Sequence, residues 1–157
     1  MIVLYFTQKY QKEREEATRR EDCRAHVLLI LAELDFHIHL LKRLLKDGNV
    51  YDPKVFLSRA EWDHSKSRIV GLDYEVFREL VAHYQSLPAM TYGNYVCNGK
   101  DPVSKTFLER TLLRSVALNN ALNAVVTPER ASEFMENFHK GINQLKTYEI
   151  PDPSANT

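Results

Sequence analysis

The sequence predicts an all-α protein, a bundle of about four or five helices with one long N-terminal helix over about residues 2–47. Residues 2–47 contain neither proline nor glycine. In the second half of this stretch, apolar residues recur at alternating spacings of four and three, which places them on one stripe of a helix. The stripe consists of Val27, Leu31, Leu34, Ile38, Leu41 and Leu45. No segment alternates apolar and polar residues over several positions, so no strand is expected.

Length and composition indicate an ordinary globular chain. Its 157 residues fit one domain that can bury a core without disulfide or metal cross-links. The 21 basic and 21 acidic residues balance, so the chain lacks the overall positive charge of most nucleic-acid-binding proteins. Cys23 and Cys97 have no zinc-binding spacing, and no secretory leader is recognisable. We therefore expect a cytoplasmic protein with reduced thiols and no cofactor.

The long helix divides into two parts of different composition. Met1 to Phe6 are apolar, whereas charges of both signs fill Thr7 to Arg24 and leave almost no face to bury. Beyond this stretch, Leu29, Phe36 and Leu40 form a second apolar edge beside the stripe, so we expect neighbours on more than one side of the helix. The predicted organisation is a charged helical arm with an apolar tip at 1–24, a bundle domain at 25–148 and a disordered tail at 149–157.

The remaining elements follow from capping and proline signals. Asp52-Pro53 predicts a short helix from Lys54 to Trp62, followed by a polar loop at 63–68. Asp73 caps a helix that should end before Pro88, because proline disfavours a helical conformation of the preceding residue. We expect a loop at 88–101. Helices should then begin at Pro102 and Pro128, the first of them running to about Val126.

Two Glu-x-x-His patterns, Glu61/His64 and Glu136/His139, have the ligand spacing of di-metal helical bundles. On the last helix, Glu136 falls roughly 150° from the centre of the apolar stripe, because each residue turns the helix by about 100°. A side chain there points to solvent, so the sequence predicts surface residues and no metal centre. Three asparagines lie close together on the predicted fourth helix: Asn119, Asn120 and Asn123. They either hydrogen-bond to another helix or form a solvent-exposed helix face.

Arginine precedes histidine by a gap of four to six residues in three places: Arg78/His83, Arg59/His64, and Arg19 or Arg20 with His26. This spacing resembles the motif of the HEPN ribonucleases, all-helical domains that often dimerise. The resemblance covers the motif alone. It implies that Arg78 holds the scissile phosphate of RNA while His83 transfers a proton. The other interpretation of His83 is that it flanks the core beside Leu80 and Tyr84.

The leading functional prediction is a non-enzymatic interaction or scaffold protein that works through helix surfaces. We expect a homo-oligomer or a subunit of a larger complex, because the coiled-coil-like stripe and the charged arm exceed what so short a chain can bury. The predicted binding residues are Ile2, Val3, Leu4, Tyr5, Phe6 and Tyr10. In a membrane variant of this prediction, residues 1–14 attach to the cytoplasmic face of a bilayer. The alternative function is a metal-independent ribonuclease that uses Arg78 and His83.

Overall fold

The computed structural model describes the backbone of residues 2–47, 57–69, 71–92 and 102–147, and the side chains of residues 7–46, 57–69, 71–87 and 105–147. Within these ranges lie the helices α1 (Ile2–Asp47), α2 (Ala60–Ser65), α3 (Tyr74–Tyr92), α4 (Pro102–Val126) and α5 (Ala131–Thr147). A 3-10 turn at Pro128–Arg130 joins α4 to α5. The described ranges contain no strand. The predicted all-α fold with a long N-terminal helix is confirmed.

Helix α4 is the central element of the packing, since it contacts α1, α3 and α5. It approaches α5 most closely at Gly141, where an added Cβ would lie 2.8 Å from the Cβ of Ala117. Only glycine allows this spacing without a shift of one helix. Phe138, Ile142 and Leu145 of α5 are buried on the same side. The contact between α4 and α5 is therefore apolar and close.

The predicted apolar stripe of α1 is the face that enters the core. Val27, Leu31, Leu34, Ile38 and Leu41 are all buried, and Leu45 is partly buried against the same cluster. The helix is described as far as Asp47. Other helices of the same chain thus cover the apolar stripe, so the stripe does not by itself indicate a partner.

The short helix lies later in the chain than the sequence predicted. Residues 57–59 are not helical, and α2 runs from Ala60 to Ser65, into the stretch expected to be a loop. The reason is a cap supplied from another helix. The Glu33 carboxylate of α1 accepts the backbone N–H groups of Glu61 and Trp62 at 3.2 and 3.1 Å, and so fixes where α2 begins. Residues 48–56 lie outside the described ranges.

Helix α3 also differs from its prediction, because it continues through Pro88 to Tyr92. Proline disfavours but does not forbid a helical conformation at the residue before it. Here that residue is Leu87, whose side chain is buried in the core and holds the last turns in place. The remainder of the predicted loop, 93–101, and the predicted tail, 149–157, lie outside the described ranges.

Candidate functional site

Helix α1 carries an apolar strip on the side that faces away from the core. We call this the outer strip; it consists of Ala25, Leu28, Leu29, Ala32 and Phe36. Leu40, at the C-terminal end of the strip, is partly buried against the core cluster. Leu28, Leu29 and Phe36 are 48%, 40% and 51% exposed. At about 100° per residue, Ala25, Leu29, Ala32 and Phe36 fall within an arc of about 60°. The second apolar edge expected from the sequence therefore exists, but it lies open.

The neighbours of α1 explain why the outer strip stays uncovered. On one side, Asp35 accepts a hydrogen bond of 2.8 Å from the side chain of Asn119 on α4. On the other side, Glu33 caps α2. Both contacts lie at the edges of the strip, and its residues project between them. On α4, the side chain of Val116, one turn before Asn119, is exposed and adds apolar surface near this side of the molecule.

Charged residues close the outer strip at its two ends. Glu21 stands one turn before Ala25 on the same face, and Arg43 stands two turns after Phe36. The strip is thus acidic at its N-terminal end and basic at its C-terminal end, with the small residue Ala32 midway between. This polarity makes the strip complementary to a reversed copy of itself.

The arm predicted from the sequence is helical, and every described side chain from Thr7 to Asp22 is exposed. Of the predicted binding residues, Tyr10 is 77% exposed, while the side chains of Ile2, Val3, Leu4, Tyr5 and Phe6 lie outside the described ranges. Arg20 and Glu16 form an ion pair within the arm, at 3.9 Å. The binding role of the arm stays a prediction.

The inner side of α1 carries two buried polar residues beside its apolar stripe. Glu33 is 6% exposed and His37 is fully buried. Opposite them, the rings of Trp62 and Tyr84 stack 4.9 Å apart with 6° between their planes. Burial, and then the neighbouring Glu33 carboxylate, raise the pKa of the Tyr84 hydroxyl. A buried polar cluster therefore connects α1, α2 and α3.

Two buried histidines lie at the centre of this cluster. The Nε2 of His37 is 2.7 Å from the carbonyl oxygen of Ser58, so it carries the proton and donates. The Nδ1 of His37 then accepts from the Nε2–H of His83 at 3.1 Å. This leaves the Nδ1 of His83 as a buried acceptor without a partner among the described residues. The geometry fits two neutral imidazoles.

Both histidines resist protonation. Burial lowers the pKa of His37. Burial, followed by repulsion from His37 when that ring is protonated and from the Arg114 guanidinium, lowers the pKa of His83 to about 3. Arg114 is itself ion-paired to Glu79, with Nε and Oε2 separated by 3.3 Å. No spacing in the sequence indicates that His37 would meet His83, since the two residues are 46 positions apart on different helices.

The ribonuclease residues are not brought together on one surface. Arg78 is exposed and ion-paired to Glu79 and Glu75 at 3.1 and 3.6 Å. His83 is fully buried, so it cannot contact a phosphate in this conformation. In the second pair, Arg59 is bound to Asp63 at 3.0 Å. The ribonuclease stays a hypothesis that these positions do not favour.

In the third arginine–histidine pattern, Arg19 or Arg20 with His26, the histidine lies between an aspartate and a serine, an arrangement that no motif in the sequence predicts. His26 places Nδ1 3.0 Å from the hydroxyl of Ser65 and Nε2 3.7 Å from Asp22. Aspartate, histidine and serine in a row suggest nucleophilic catalysis. Ser65 is fully buried, however, and offers no surface to a substrate. The row instead ties α1 to the end of α2.

The Glu-x-x-His residues do not form a cluster. Glu136 and His139 are exposed on α5, as predicted, and His64 is exposed on α2. Within the described ranges, no three histidine, cysteine, aspartate or glutamate residues converge as metal ligands. No described helix is apolar over the length needed to cross a bilayer. Membrane attachment through residues 1–14 and the absence of a cofactor stay predictions.

No protein-family model, curated protein or solved structure matches this chain.

Proposed function

We propose that this chain is a helical interaction protein that pairs with a second copy of itself through the outer strip of α1. The observation that carries the proposal is the exposure of Leu28, Leu29 and Phe36 on one face of a well-packed helix. Contiguous apolar surface of this kind marks interaction sites in folded proteins. Its period, alternating between steps of three and four, is that of helices that pack side by side.

The charges at the ends of the strip support an antiparallel pair. If two copies pack with Ala32 at the two-fold axis, Glu21 of each lies beside Arg43 of the other. Phe36 then lies over Leu28 of the second copy, and the small Ala32 lets the two helices approach closely. A parallel pair would instead place Glu21 against Glu21 and Arg43 against Arg43, which like charges disfavour.

This arrangement gives the charged arm a role as well. In an antiparallel pair the two arms extend from opposite ends of the seam, and the exposed side chains from Thr7 to Arg20 stay accessible. Tyr10 and the residues before it are then available to a further protein. The pair would serve as a scaffold with two outward arms.

Sedimentation velocity over a wide concentration range tests the proposal. We expect the full-length chain to be a dimer at micromolar concentration and Phe36→Lys to be monomeric, because a lysine at the seam centre faces apolar surface. Tyr74→Lys is the matched control: Tyr74 is 77% exposed on α3, away from the strip, so the variant should still dimerise. Tyr10→Lys removes an equally exposed aromatic from the arm and should also leave the dimer intact.

A wild-type chain that stays monomeric at every concentration would refute self-association. A dimer that survives Phe36→Lys but is lost in Tyr10→Lys would place the interface on the arm instead of the outer strip.

A further inference from the structure

A groove of about 830 Å³ lies where the arm of α1 leaves the bundle. One wall is α1 itself, over residues 19–24. The opposite wall is the connection between α2 and α3, and the end is closed by Val125 of α4 and by Pro128. The α1 residues of the groove lie roughly opposite the outer strip, because each residue advances the helix by about 100°. A ligand here would leave the proposed dimer seam free.

The groove concentrates positive charge in a chain whose net charge is zero. Four arginines line it, Arg19, Arg20, Arg24 and Arg68, against two aspartates, Asp22 and Asp73. Guanidinium groups are the side chains best suited to hold phosphate, because their planar array of donors matches its oxygens.

Both aspartates are occupied by the protein itself. Asp73 caps α3 by accepting the backbone N–H groups of Glu75 and Val76 at 2.9 and 3.3 Å. Asp22 lies between Arg68 at 3.6 Å and His26 at 3.7 Å. The acidic groups are therefore already engaged, and the arginines outnumber them.

One of the arginines is held in place before any ligand arrives. Arg24 donates from NH2 to the carbonyl oxygen of Val126, at the end of α4, with a distance of 2.9 Å. That bond fixes the position of the side chain, and no carboxylate among the described residues is seen to pair with its charge. A fixed guanidinium loses less side-chain entropy when it binds an anion.

Apart from Ser67, the remaining lining is apolar or glycine. Cys23, Leu72 and Val125 contact the core cluster with part of their surface and turn the rest toward the groove. The volume lies within the range of small-molecule sites, about 300–1,000 Å³, and is larger than an inorganic anion needs. A ligand with both an anionic group and an apolar or aromatic body fits these walls.

We propose that this groove binds an organic phosphate of nucleotide size. Its phosphate groups contact Arg24, which is already fixed in place, together with Arg19 and Arg68, and its ring system lies against Leu72 and Val125. The inference is independent of self-association through the outer strip, and either can fail without the other.

Isothermal titration calorimetry with ATP, adenosine and tripolyphosphate at constant ionic strength tests the proposal. ATP should bind at least tenfold more tightly than either fragment, because only ATP fills both the charged and the apolar part of the groove. Arg19→Ala and Arg68→Ala should each weaken ATP binding about tenfold. Arg14→Ala, which removes the same charge from the exposed arm outside the groove, is the matched control and should bind as wild type.

A second measurement reads occupancy directly at the groove. Cys23 lines it, and burial together with Asp22 raises the pKa of its thiol. Alkylation of the Cys23 peptide by iodoacetamide at alkaline pH, followed by mass spectrometry, should slow when ATP is present. Equal affinity for ATP and tripolyphosphate, unchanged binding by Arg68→Ala, or alkylation unaffected by ATP would each overturn the proposal.

Discussion

The two sides of α1 each carry a few residues that do not match their surroundings, within a helix whose buried face is otherwise apolar. The inner side buries Glu33 and His37, at 6% and 0% exposure, while the outer side leaves Leu29 and Phe36 at 40% and 51%. The buried polar groups are accounted for by partners within the chain: two backbone N–H groups, a carbonyl and a second histidine. The exposed apolar groups have no such partner within the described residues.

This difference shows what burial requires. Transfer of a carboxylate into a protein interior costs several kcal/mol unless hydrogen bonds replace its water, and Glu33 finds them at the start of α2. An apolar side chain needs only a covering surface. The inner side of α1 is therefore complete, and the outer strip is the side where a second molecule would gain most.

Removal of the buried carboxylate should have the largest effect. Glu33→Ala leaves the N–H groups of Glu61 and Trp62 buried without acceptors, so we expect a loss of about 2–4 kcal/mol in the free energy of unfolding by urea. Asp35→Ala is the matched control two residues away, since it loses only the exposed hydrogen bond to Asn119 and should cost under about 1 kcal/mol. Equal losses in the two variants would mean that the inner polar cluster does not determine stability.

The second largest effect should be a decrease in the free energy of unfolding at acid pH, caused by the buried histidines on the inner side of α1. The pKa of His83 is about 3 in the folded protein and near 6.5 when unfolded, so between these values the unfolded chain binds more protons. Its contribution is fully present above pH 6.5 and decreases as the pH falls toward 3. From pH 7.5 to 5, urea denaturation should show a loss of about 2 kcal/mol from His83, and the lowered pKa of His37 acts in the same direction.

Two histidine variants separate this effect from the titration of other groups. His83→Gln should flatten the dependence of stability on pH between 6.5 and 5, because the buried imidazole is gone. His39→Gln changes an exposed histidine on the outer side of α1 and should leave the slope as in wild type. If the His83→Gln slope equals that of wild type, the buried histidine pair is not the source of acid sensitivity.

The smallest effect concerns the ends of the outer strip. Glu21→Arg and Arg43→Glu should each weaken dimerisation by about 0.3–1 kcal/mol, because they place like charges together in an antiparallel pair. The double variant restores opposite charges and should recover the wild-type dissociation constant in sedimentation equilibrium at low salt. In a parallel pair each residue faces its own copy, so like charges stay together in every variant and neither single variant should change the dissociation constant. Weakening by the single variants, with recovery in the double variant, therefore distinguishes the antiparallel from the parallel orientation.

Local signals predicted most of the fold. The stripe from Val27 to Leu41 and the cap at Asp73 follow from spacing and residue type, and both are confirmed. The start of α2 could not be predicted in this way, because its cap is Glu33, a residue on another helix. Helix α3 passed Pro88 for a similar reason, since the buried Leu87 outweighs the local preference of proline.

Less of the candidate site than of the fold could be predicted from the sequence. Leu29 and Phe36 were recognised as an apolar edge, but a sequence cannot show which edge its own helices will cover. The pairing of His37 with His83 depends on the packing of α1 against α3, which no spacing within either helix encodes. The groove is formed by α1, the connection between α2 and α3, and the end of α4. These segments are distant in sequence, so no motif predicts the groove.

The stack of Trp62 on Tyr84 gives the molecule a built-in spectroscopic reporter. Trp62 is the sole tryptophan of the chain and is 4% exposed. Its fluorescence therefore originates entirely at the junction of α2 and α3, beside the polar cluster and away from the contact of α4 with α5. Circular dichroism averages over all helices, whereas the tryptophan emission reports only on the junction of α2 and α3. An emission melting curve that falls at a lower temperature than the circular dichroism curve would show that this junction opens before the rest of the bundle.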